Sequence, residues 1–172
     1  MCRHLAYLGP PASLRSVLID PPHGLYRQAW APRRQRYGTV NADGFGVGWY
    51  APDDPIPARY RRAVPIWGDE SFADVARVTS AAALLAAVRA AGAGGRFNFL
   101  LTDGQVITAT AAGDTLCYRA AGGVVVVASE PGDDGPGWTE VPDGSVVTAT
   151  PRQVSVAELD TSRTQNGRIA IR

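Results

Sequence analysis

The amino-acid sequence predicts a single α+β domain spanning residues 1–172. Its length and its hydrophobic content of 45% are sufficient to bury one core. Helical patterns are confined to the first half of the chain, whereas the residues from Arg96 onward alternate between short apolar runs and glycine-containing turns. This order of elements differs from the regular strand–helix alternation that builds a doubly wound parallel sheet.

The first half is predicted to contain strands at 2–8, 41–50 and 58–62, helices at 12–19, 70–78 and 81–91, and a short turn at 25–30. Pro10-Pro11 is expected to end the first strand, and Ser13 stands near the start of the first helix. Asp69 or Ser71 is the candidate N-cap of the second helix. The Ala- and Leu-rich segment 81–91 gives the strongest helix signal in the chain.

The second half is predicted to be a series of antiparallel strands, at 97–101, 105–110, 115–119, 124–129 and 145–150. Asp103-Gly104 is a strong hairpin signal, and Gly122-Gly123 predicts a second hairpin between the strands at 115–119 and 124–129. The tail after Asp160 has little core character. These features favour an antiparallel sheet in the second half.

Composition excludes several classes of function. The net charge of +1 provides no field for nucleic acid or a membrane surface, and all 17 basic residues are arginines, so no P-loop lysine exists. With two cysteines and two histidines that lack ligand spacing, we predict no metal site. The hydrolase hypothesis given below requires no cofactor either. Without a visible signal peptide, we expect a cytoplasmic protein. The sequence does not predict an oligomeric state.

Cys2 is the most informative residue, because it directly follows the initiator methionine. Removal of Met1 would leave one residue with both a thiol and an α-amine, and an α-amine titrates near pH 7.7–8.0, so it can act as the base for that thiol. The alternative is an inert cysteine, since most cysteines are small buried hydrophobes. His4 lies on the same strand face as Cys2 and is expected to pack or to make a structural hydrogen bond. A redox pair of Cys2 with Cys117 is a weaker alternative.

The segment 41–50 is the second distinctive feature, with glycines at 44, 46 and 48 on one face of the predicted strand. A strand face without side chains lets a ligand or another backbone approach closely. The pattern is G-x-G-x-G and not the dinucleotide-binding G-x-G-x-x-G. Asn41 and Asp43 either cap the turn before this strand or bind a substrate amine or amide. Phe45 is expected to face the core.

These motifs together resemble class II glutamine amidotransferases, which are N-terminal-nucleophile hydrolases. The opening Met1–Gly9 carries the resemblance together with Asn41–Tyr50, Pro65-Ile66-Trp67, Asn98–Gly104 and Ala128–Pro131. Within that group the chain is similar to the ergothioneine-pathway branch that hydrolyses γ-glutamyl-hercynylcysteine sulfoxide. The resemblance implies an αββα sandwich of two antiparallel sheets.

The resemblance also implies hydrolysis of a γ-glutamyl amide, with a small γ-glutamyl molecule as the substrate and glutamate released. Cys2 would be the nucleophile. The segment 41–48 would line the site, which makes Asn41, Asp43, Gly44 and Phe45 the candidate substrate-binding residues.

The chain departs from this family in its middle. The family's glutamyl-binding arginine loop, its Ser-His-Asn-Gly oxyanion motif and a further aspartate are not recognised in the sequence. The abrupt junction near residues 79–83, where one predicted helix meets another, indicates a missing central segment. Loss of one oxyanion donor typically costs about 2.7–4 kcal/mol of transition-state stabilisation. The alternative function is therefore a non-catalytic amidotransferase-like binding or scaffold protein.

Overall fold

The computed structural model describes residues 2–35, 38, 40–89 and 98–159. The helices in these residues are α1 (Leu14–Leu18), α2 (Leu25–Gln28) and α3 (Phe72–Val78), with a 3₁₀ turn at Ile66–Gly68. The strands are β1 (Cys2–Ser13), β2 (Gly44–Trp49), β3 (Ala58–Arg62), β4 (Ser80–Arg89), β5 (Leu100–Thr102), β6 (Ile107–Ala111), β7 (Cys117–Ala121), β8 (Val124–Ala128), β9 (Thr139–Glu140), β10 (Ser145–Thr150) and β11 (Gln153–Glu158).

The described strands form two sheets, and every strand pair in them is antiparallel. The first sheet has seven strands in the order β3-β2-β4-β1-β8-β7-β9, so β1 lies at its centre. The second sheet has four strands in the order β11-β10-β6-β5. The predicted α+β fold with two antiparallel sheets is confirmed.

Two hydrophobic cores follow from the alternation of side chains along these strands. One face of the seven-stranded sheet, including Leu5 and Tyr7 of β1, packs against the helices α1, α2 and α3. The opposite face, including Ala6 and Leu8, packs against the four-stranded sheet. The central strand β1 is therefore buried on both faces, which fixes its register and the position of its first residue.

The prediction of a helix over 81–91 is wrong, because residues 80–89 form strand β4. This strand pairs with β1 on one edge and with β2 on the other. Leu84, Ala86 and Val88 enter the helix-side core, whereas Ala83 enters the core between the sheets. Backbone pairing on both edges and burial on both faces outweigh the modest intrinsic helix preference of alanine and leucine. The abrupt junction at residues 79–83 is thus the change from helix α3 to strand β4.

The prolines do not end the first strand as predicted. Pairing of β1 with β4 is interrupted between Leu8 and Ala12 and resumes at Ala12 and Ser13. A proline has no N–H to donate to the ladder, so the Pro10-Pro11 pair produces an irregularity within the strand. The Ser13 hydroxyl then accepts the N–H of Ser16 at 3.1 Å and caps the first helix, at whose start the sequence placed this serine.

The predicted turns of the second half are confirmed. Gly122 and Gly123 have φ angles of 59° and 78° between β7 and β8, as a two-residue hairpin turn requires. Asp103 accepts the N–H groups of Gln105 and Val106 at 2.9 and 2.8 Å. Strand β11 was not predicted, since its sequence contains few large apolar residues. The tail after Asp160 lies outside the described residues, as does Phe97 at the start of a predicted strand.

Among the described residues, no helix has the length and apolar character needed to cross a membrane. The predicted cytoplasmic location stays a prediction.

Candidate functional site

Cys2 is the first residue of the central strand and is exposed, with a free thiol. The strand that follows it is almost entirely buried, from Arg3 to Leu8. The sequence places the thiol at the end of a rigid element, where the sheet meets the surface. Such a position combines access for a ligand with a fixed backbone, as a nucleophile requires.

The strand beside Cys2 is β4, and β2 lies on the far edge of β4. Cys2 lies opposite Arg89 of β4, and Arg89 lies opposite Gly44 of β2. Residues paired directly across an antiparallel sheet share one face. Gly44, Gly46 and Gly48 of β2 consequently belong to the same face as Cys2. The bare face predicted from the glycines therefore lies on the same side of the sheet as the candidate nucleophile, with strand β4 between them.

Gly44 is required by its backbone conformation and by its surroundings. Its φ angle of 149° is one that residues with a Cβ rarely adopt. A Cβ at this position would stand 2.9 Å from the carbonyl oxygen of Arg62 on β3. Glycine here allows β2 to begin close to β3, beside the Cys2 end of the sheet.

Asn41 is completely buried and acts within the turn that leads into β2. Its backbone N–H donates to Ala29 O at 2.6 Å, and its Nδ2 donates to Gln28 O at 3.4 Å and to Gln35 Oε1 at 3.0 Å. Its Oδ1 is buried without a hydrogen-bond partner. These contacts agree with the turn role, whereas substrate binding by Asn41 stays a prediction.

The other two candidates have contrasting positions. Phe45 is 4% exposed and packs in the helix-side core, with ring centroids 4.8 Å from Phe72 and 5.9 Å from Tyr60. Asp43 is exposed immediately before Gly44. Phe45 thus lies on the face opposite to the glycines, as expected from the strand pattern. Roles for Asp43 and Phe45 in substrate binding stay predictions.

His4 is buried on the face that it shares with Cys2. Its backbone N–H donates to Ser129 Oγ at 3.1 Å, and its backbone oxygen accepts the Ser129 N–H at 3.0 Å. Burial, assisted by the positive charge of Arg3, lowers the pKa of the imidazole to about 4. His4 is therefore neutral at physiological pH, and its Nε2 has no hydrogen-bond partner.

Arg3 fixes the same end of β1 from the other face. Its side chain is 1% exposed, lies 4.0 Å from Asp114 Oδ2 and donates to Thr115 Oγ1 at 3.4 Å. Burial lowers the pKa of this guanidinium, while the charges of Asp114 and Glu130 oppose the shift. Since this guanidinium is enclosed by the protein, we assign it to positioning of the strand.

A buried carboxylate anchors the loop that borders the Cys2 end. Glu130 is 1% exposed and accepts the backbone N–H of Arg33 at 3.0 Å and that of Arg34 at 2.6 Å. Asp134 nearby accepts from Arg33 Nη1 at 2.6 Å and is 2.9 Å from His23 Nε2. His23 thus pairs with a surface carboxylate on this loop, and nothing places it beside Cys2.

Cys117 cannot pair with Cys2. It lies opposite Ala128 of β8, which lies opposite Leu5 of β1. Two strand spacings of about 4.8 Å and three residues of about 3.3 Å separate the cysteine Cα atoms by roughly 14 Å. A disulfide requires less than about 7 Å. The redox alternative is therefore not supported. No cluster of three or more His, Cys, Asp or Glu side chains able to hold a metal is found in the described part of the chain.

Arg89 is the residue that the sequence analysis missed. Because the segment 81–91 was predicted to be helical, its last arginine had no place beside Cys2. The backbone pairing of Cys2 with Arg89 brings it there. A strand interpretation of the alternation of Leu84, Ala86 and Val88 would have found it.

Comparison with known proteins identifies the relatives of this chain. It is 33% identical over 232 residues to the γ-glutamyl-hercynylcysteine sulfoxide hydrolase of Mycobacterium tuberculosis, covering 95% of this chain and 99% of the relative. The hydrolase of the same name from Mycolicibacterium smegmatis is 32% identical over 228 residues, covering 92% and 100%. No family model matches the chain.

Solved structures show the same fold. A class-II glutamine aminotransferase domain protein from Silicibacter pomeroyi superposes with a TM-score of 0.63 and 18% identity, covering 92% of this chain and 99% of that structure. At this identity the likeness concerns the fold alone. It agrees with the two antiparallel sheets of this chain.

The relatives also contain residues without a counterpart here, since the alignment with the M. tuberculosis hydrolase has 232 positions, 60 more than the 172 residues of this chain. The predicted absence of a family segment agrees with this excess. Identity over nearly the whole length of both chains nevertheless decides the assignment: this chain belongs to the γ-glutamyl-hercynylcysteine sulfoxide hydrolase family of class II glutamine amidotransferases.

Proposed function

We propose that this protein hydrolyses a linear γ-glutamyl amide, with γ-glutamyl-hercynylcysteine sulfoxide or a similar conjugate as substrate, and that Cys2 is the nucleophile. The observation that carries the proposal is an exposed thiol on the first residue of a buried central strand. The name of the M. tuberculosis relative supports the choice of substrate. No metal or organic cofactor is required for this chemistry.

In the proposed mechanism, removal of Met1 leaves the α-amine of Cys2 as the base. This amine takes the thiol proton, and Sγ attacks the γ-carbonyl carbon of the substrate. The C–N bond breaks while the amine delivers the proton to the leaving nitrogen. Water then attacks the γ-glutamyl thioester, its proton returns through the α-amine to Sγ, and glutamate is released.

The test is glutamate release by the full chain, after intact-mass measurement has verified the loss of Met1. We expect release from the γ-glutamyl conjugate to fall by about 10³-fold or more in Cys2→Ala. Cys117→Ala is the matched control, because the second cysteine is buried away from Cys2 and should leave kcat unchanged. Undiminished release in Cys2→Ala would contradict the proposed nucleophile.

The non-catalytic alternative is favoured by one observation, the 60 alignment positions by which the M. tuberculosis comparison exceeds the length of this chain. In that case the protein would bind γ-glutamyl compounds without cleaving them. Absence of glutamate release from a processed chain that retains binding would establish this alternative.

A further inference from the structure

The face of the seven-stranded sheet that carries Cys2 continues as far as the edge strand β3. His4, two residues after Cys2 and on the same face, lies opposite Ala87 of β4. Ala87 lies opposite Gly46 of β2, and Gly46 lies opposite Arg61 of β3. Since directly opposed residues of antiparallel strands project from one face, Arg61 projects from the same face as Cys2.

The four-stranded sheet covers only part of this face. It contacts β1, β4 and β8, and Ala6 and Leu8 of β1 are buried beneath it. Towards the edge, Gly46 and Gly48 are half-buried and Arg61 is exposed. The Cys2 face is therefore open over β2 and β3, where a ligand held at Cys2 can extend.

The side chain of Arg61 lies across the bare face of β2. A Cβ added at Gly46 would stand 3.2 Å from Cγ and 3.8 Å from Cδ of Arg61. A Cβ added at Gly48, which lies opposite Arg59, would have Ala58 O at 3.7 Å as its nearest neighbour. The absence of a side chain at Gly46 thus lets the stem of Arg61 lean from the edge strand towards β4 and β1.

The charge of this surface is suited to an anion. The strands β1, β2, β3 and β4 contain no aspartate or glutamate. Among the described residues no carboxylate pairs with Arg61, whereas Arg62 projects from the opposite face and lies 3.8 Å from Asp69 Oδ2. A guanidinium presents its N–H groups in a planar fork that matches the two oxygens of a carboxylate.

The distance from the thiol fits a carboxylate in the amine half of a γ-glutamyl amide. Two strand spacings of about 4.8 Å and two residues of about 3.3 Å place the Cα atoms of Cys2 and Gly46 roughly 12 Å apart. Five single bonds from a carbonyl carbon at Cys2 cover about 6 Å, and a carboxylate–guanidinium contact covers about 4 Å more. The lean of Arg61 over Gly46 accounts for the remainder.

We propose that Arg61 determines specificity for the leaving group by binding a carboxylate about four bonds beyond the scissile nitrogen. The placement of this carboxylate in the leaving group rests on the proposed function, whereas its binding by Arg61 is measured without turnover. Charged side chains on an edge strand also hinder pairing with another chain. That role alone would give no preference for an anionic ligand.

Two ligands of nearly equal volume test the proposal, γ-glutamyl-4-aminobutyrate and its uncharged terminal amide. Calorimetric or NMR titration uses the full chain with Cys2→Ala, so that neither ligand is consumed. We expect the acid to bind about tenfold more tightly than the amide, because only the acid can pair with a guanidinium. Equal affinities, tighter binding of the amide, or no binding of the acid would overturn the proposal.

Arginine variants locate the carboxylate. We expect Arg61→Gln to abolish the preference for the acid and Arg61→Lys to retain part of it, because an ammonium lacks the planar fork. Arg62→Gln is the matched control, since it removes the same charge from the next residue on the opposite face. An unchanged preference in Arg61→Gln, or an equal loss in Arg62→Gln, would overturn the assignment.

Gly46→Ala tests the placement of the guanidinium without removing its charge. The new Cβ would meet Cγ of Arg61 at 3.2 Å and displace the stem, so we expect the preference for the acid to fall about threefold while the affinity for the amide changes little. Circular dichroism verifies folding. An unchanged preference would show that Gly46 does not position Arg61. Should Gly46→Ala fail to fold, the arginine variants still decide.

Glutamate release from the same two compounds separates this inference from the proposed function. In the chain that has lost Met1, we expect Arg61→Gln to raise KM for the acid about tenfold and KM for the amide much less. Glutamate release with equal KM for acid and amide would overturn the carboxylate site and leave the hydrolysis intact. A chain that prefers the acid in titration and releases no glutamate would contradict the hydrolysis and leave the Arg61 site intact.

Discussion

The two cysteines of this protein belong to the same sheet and have opposite environments. Cys2 is exposed at the end of the central strand, whereas Cys117 is 1% exposed in strand β7. The Cys117 thiol lies 3.4 Å from Ala128 O and donates to it, and burial raises its pKa to about 12. Only the thiolate is a nucleophile, so Cys117 is inert as long as the fold is intact.

The difference between the two cysteines shows that the end of the sheet leaves a reactive group accessible, whereas its interior encloses such a group. The interior accepts apolar residues, together with polar groups whose charge is suppressed or paired, such as the neutral His4 and the enclosed Arg3. The end of the sheet carries a free thiol and a strand face of glycines. Chemistry in this fold is therefore expected where the central strand begins.

Alkylation by iodoacetamide gives the sharpest contrast between the two regions. We expect Cys2 of the native protein to be modified at least about 10³-fold faster than Cys117, because the raised pKa of Cys117 reduces its thiolate fraction and burial blocks access. Peptide mapping by mass spectrometry measures both rates. Denaturant should make the rates comparable. Equal native rates would show that Cys117 is accessible.

The neutral state of His4 predicts a loss of stability in acid. Its folded pKa of about 4 is below the usual 6.5, so the unfolded chain binds more protons between these values. The contribution of His4 to stability is therefore constant above about pH 6.5 and falls as the pH drops towards 4. The loss is on the order of 3 kcal/mol in the free energy of unfolding.

Urea denaturation at pH 7 and pH 4.5 measures this effect. His4→Gln should reduce the difference between the two pH values, since glutamine does not titrate. His23→Gln is the comparison variant, because His23 is only partly buried and lies beside the exposed Asp134. An unchanged pH dependence in His4→Gln would contradict the buried neutral imidazole.

Gly44 and Gly48 test whether the start of β2 is specially constrained. We expect Gly44→Ala to lower the free energy of unfolding by about 1–3 kcal/mol, because its φ is 149° and its new Cβ would meet Arg62 O at 2.9 Å. Gly48→Ala should lower the free energy of unfolding by less, since a Cβ at this position would lie 3.7 Å from its nearest neighbour, Ala58 O. Equal losses in thermal or urea unfolding would refute a local constraint at Gly44.

The smallest expected effect is that of Cys117→Ala on stability. Removing one buried sulfur and its hydrogen bond should lower the free energy of unfolding by about 1 kcal/mol. The same variant serves as the activity control, and a large fall in glutamate release would show that the interior is coupled to the Cys2 end more tightly than we infer.

Much of the fold could be predicted from local signals. Strand 58–62, strand 145–150 and the Gly122-Gly123 turn have clear signals in their own residues, and the structure has them as predicted. The strand at 80–89 could not be predicted from local signals, because alanine and leucine favour a helix locally. Only pairing with two neighbouring strands makes the extended form of this segment more stable. That error also hid Arg89 from the candidate site.

The sequence by itself determined which residue could be a nucleophile with its own base, because that property belongs to the single residue after Met1. It also determined the bare face of β2, because side chains alternate strictly along a strand. Only the tertiary structure decided that Cys2, Arg89 and Gly44 lie opposite one another on adjacent strands. It also decided that the rings of Trp30 and Trp67 pack nearly perpendicular to each other. Those arrangements join residues far apart in the chain, and cross-strand pairing and packing, which no local pattern encodes, bring them together.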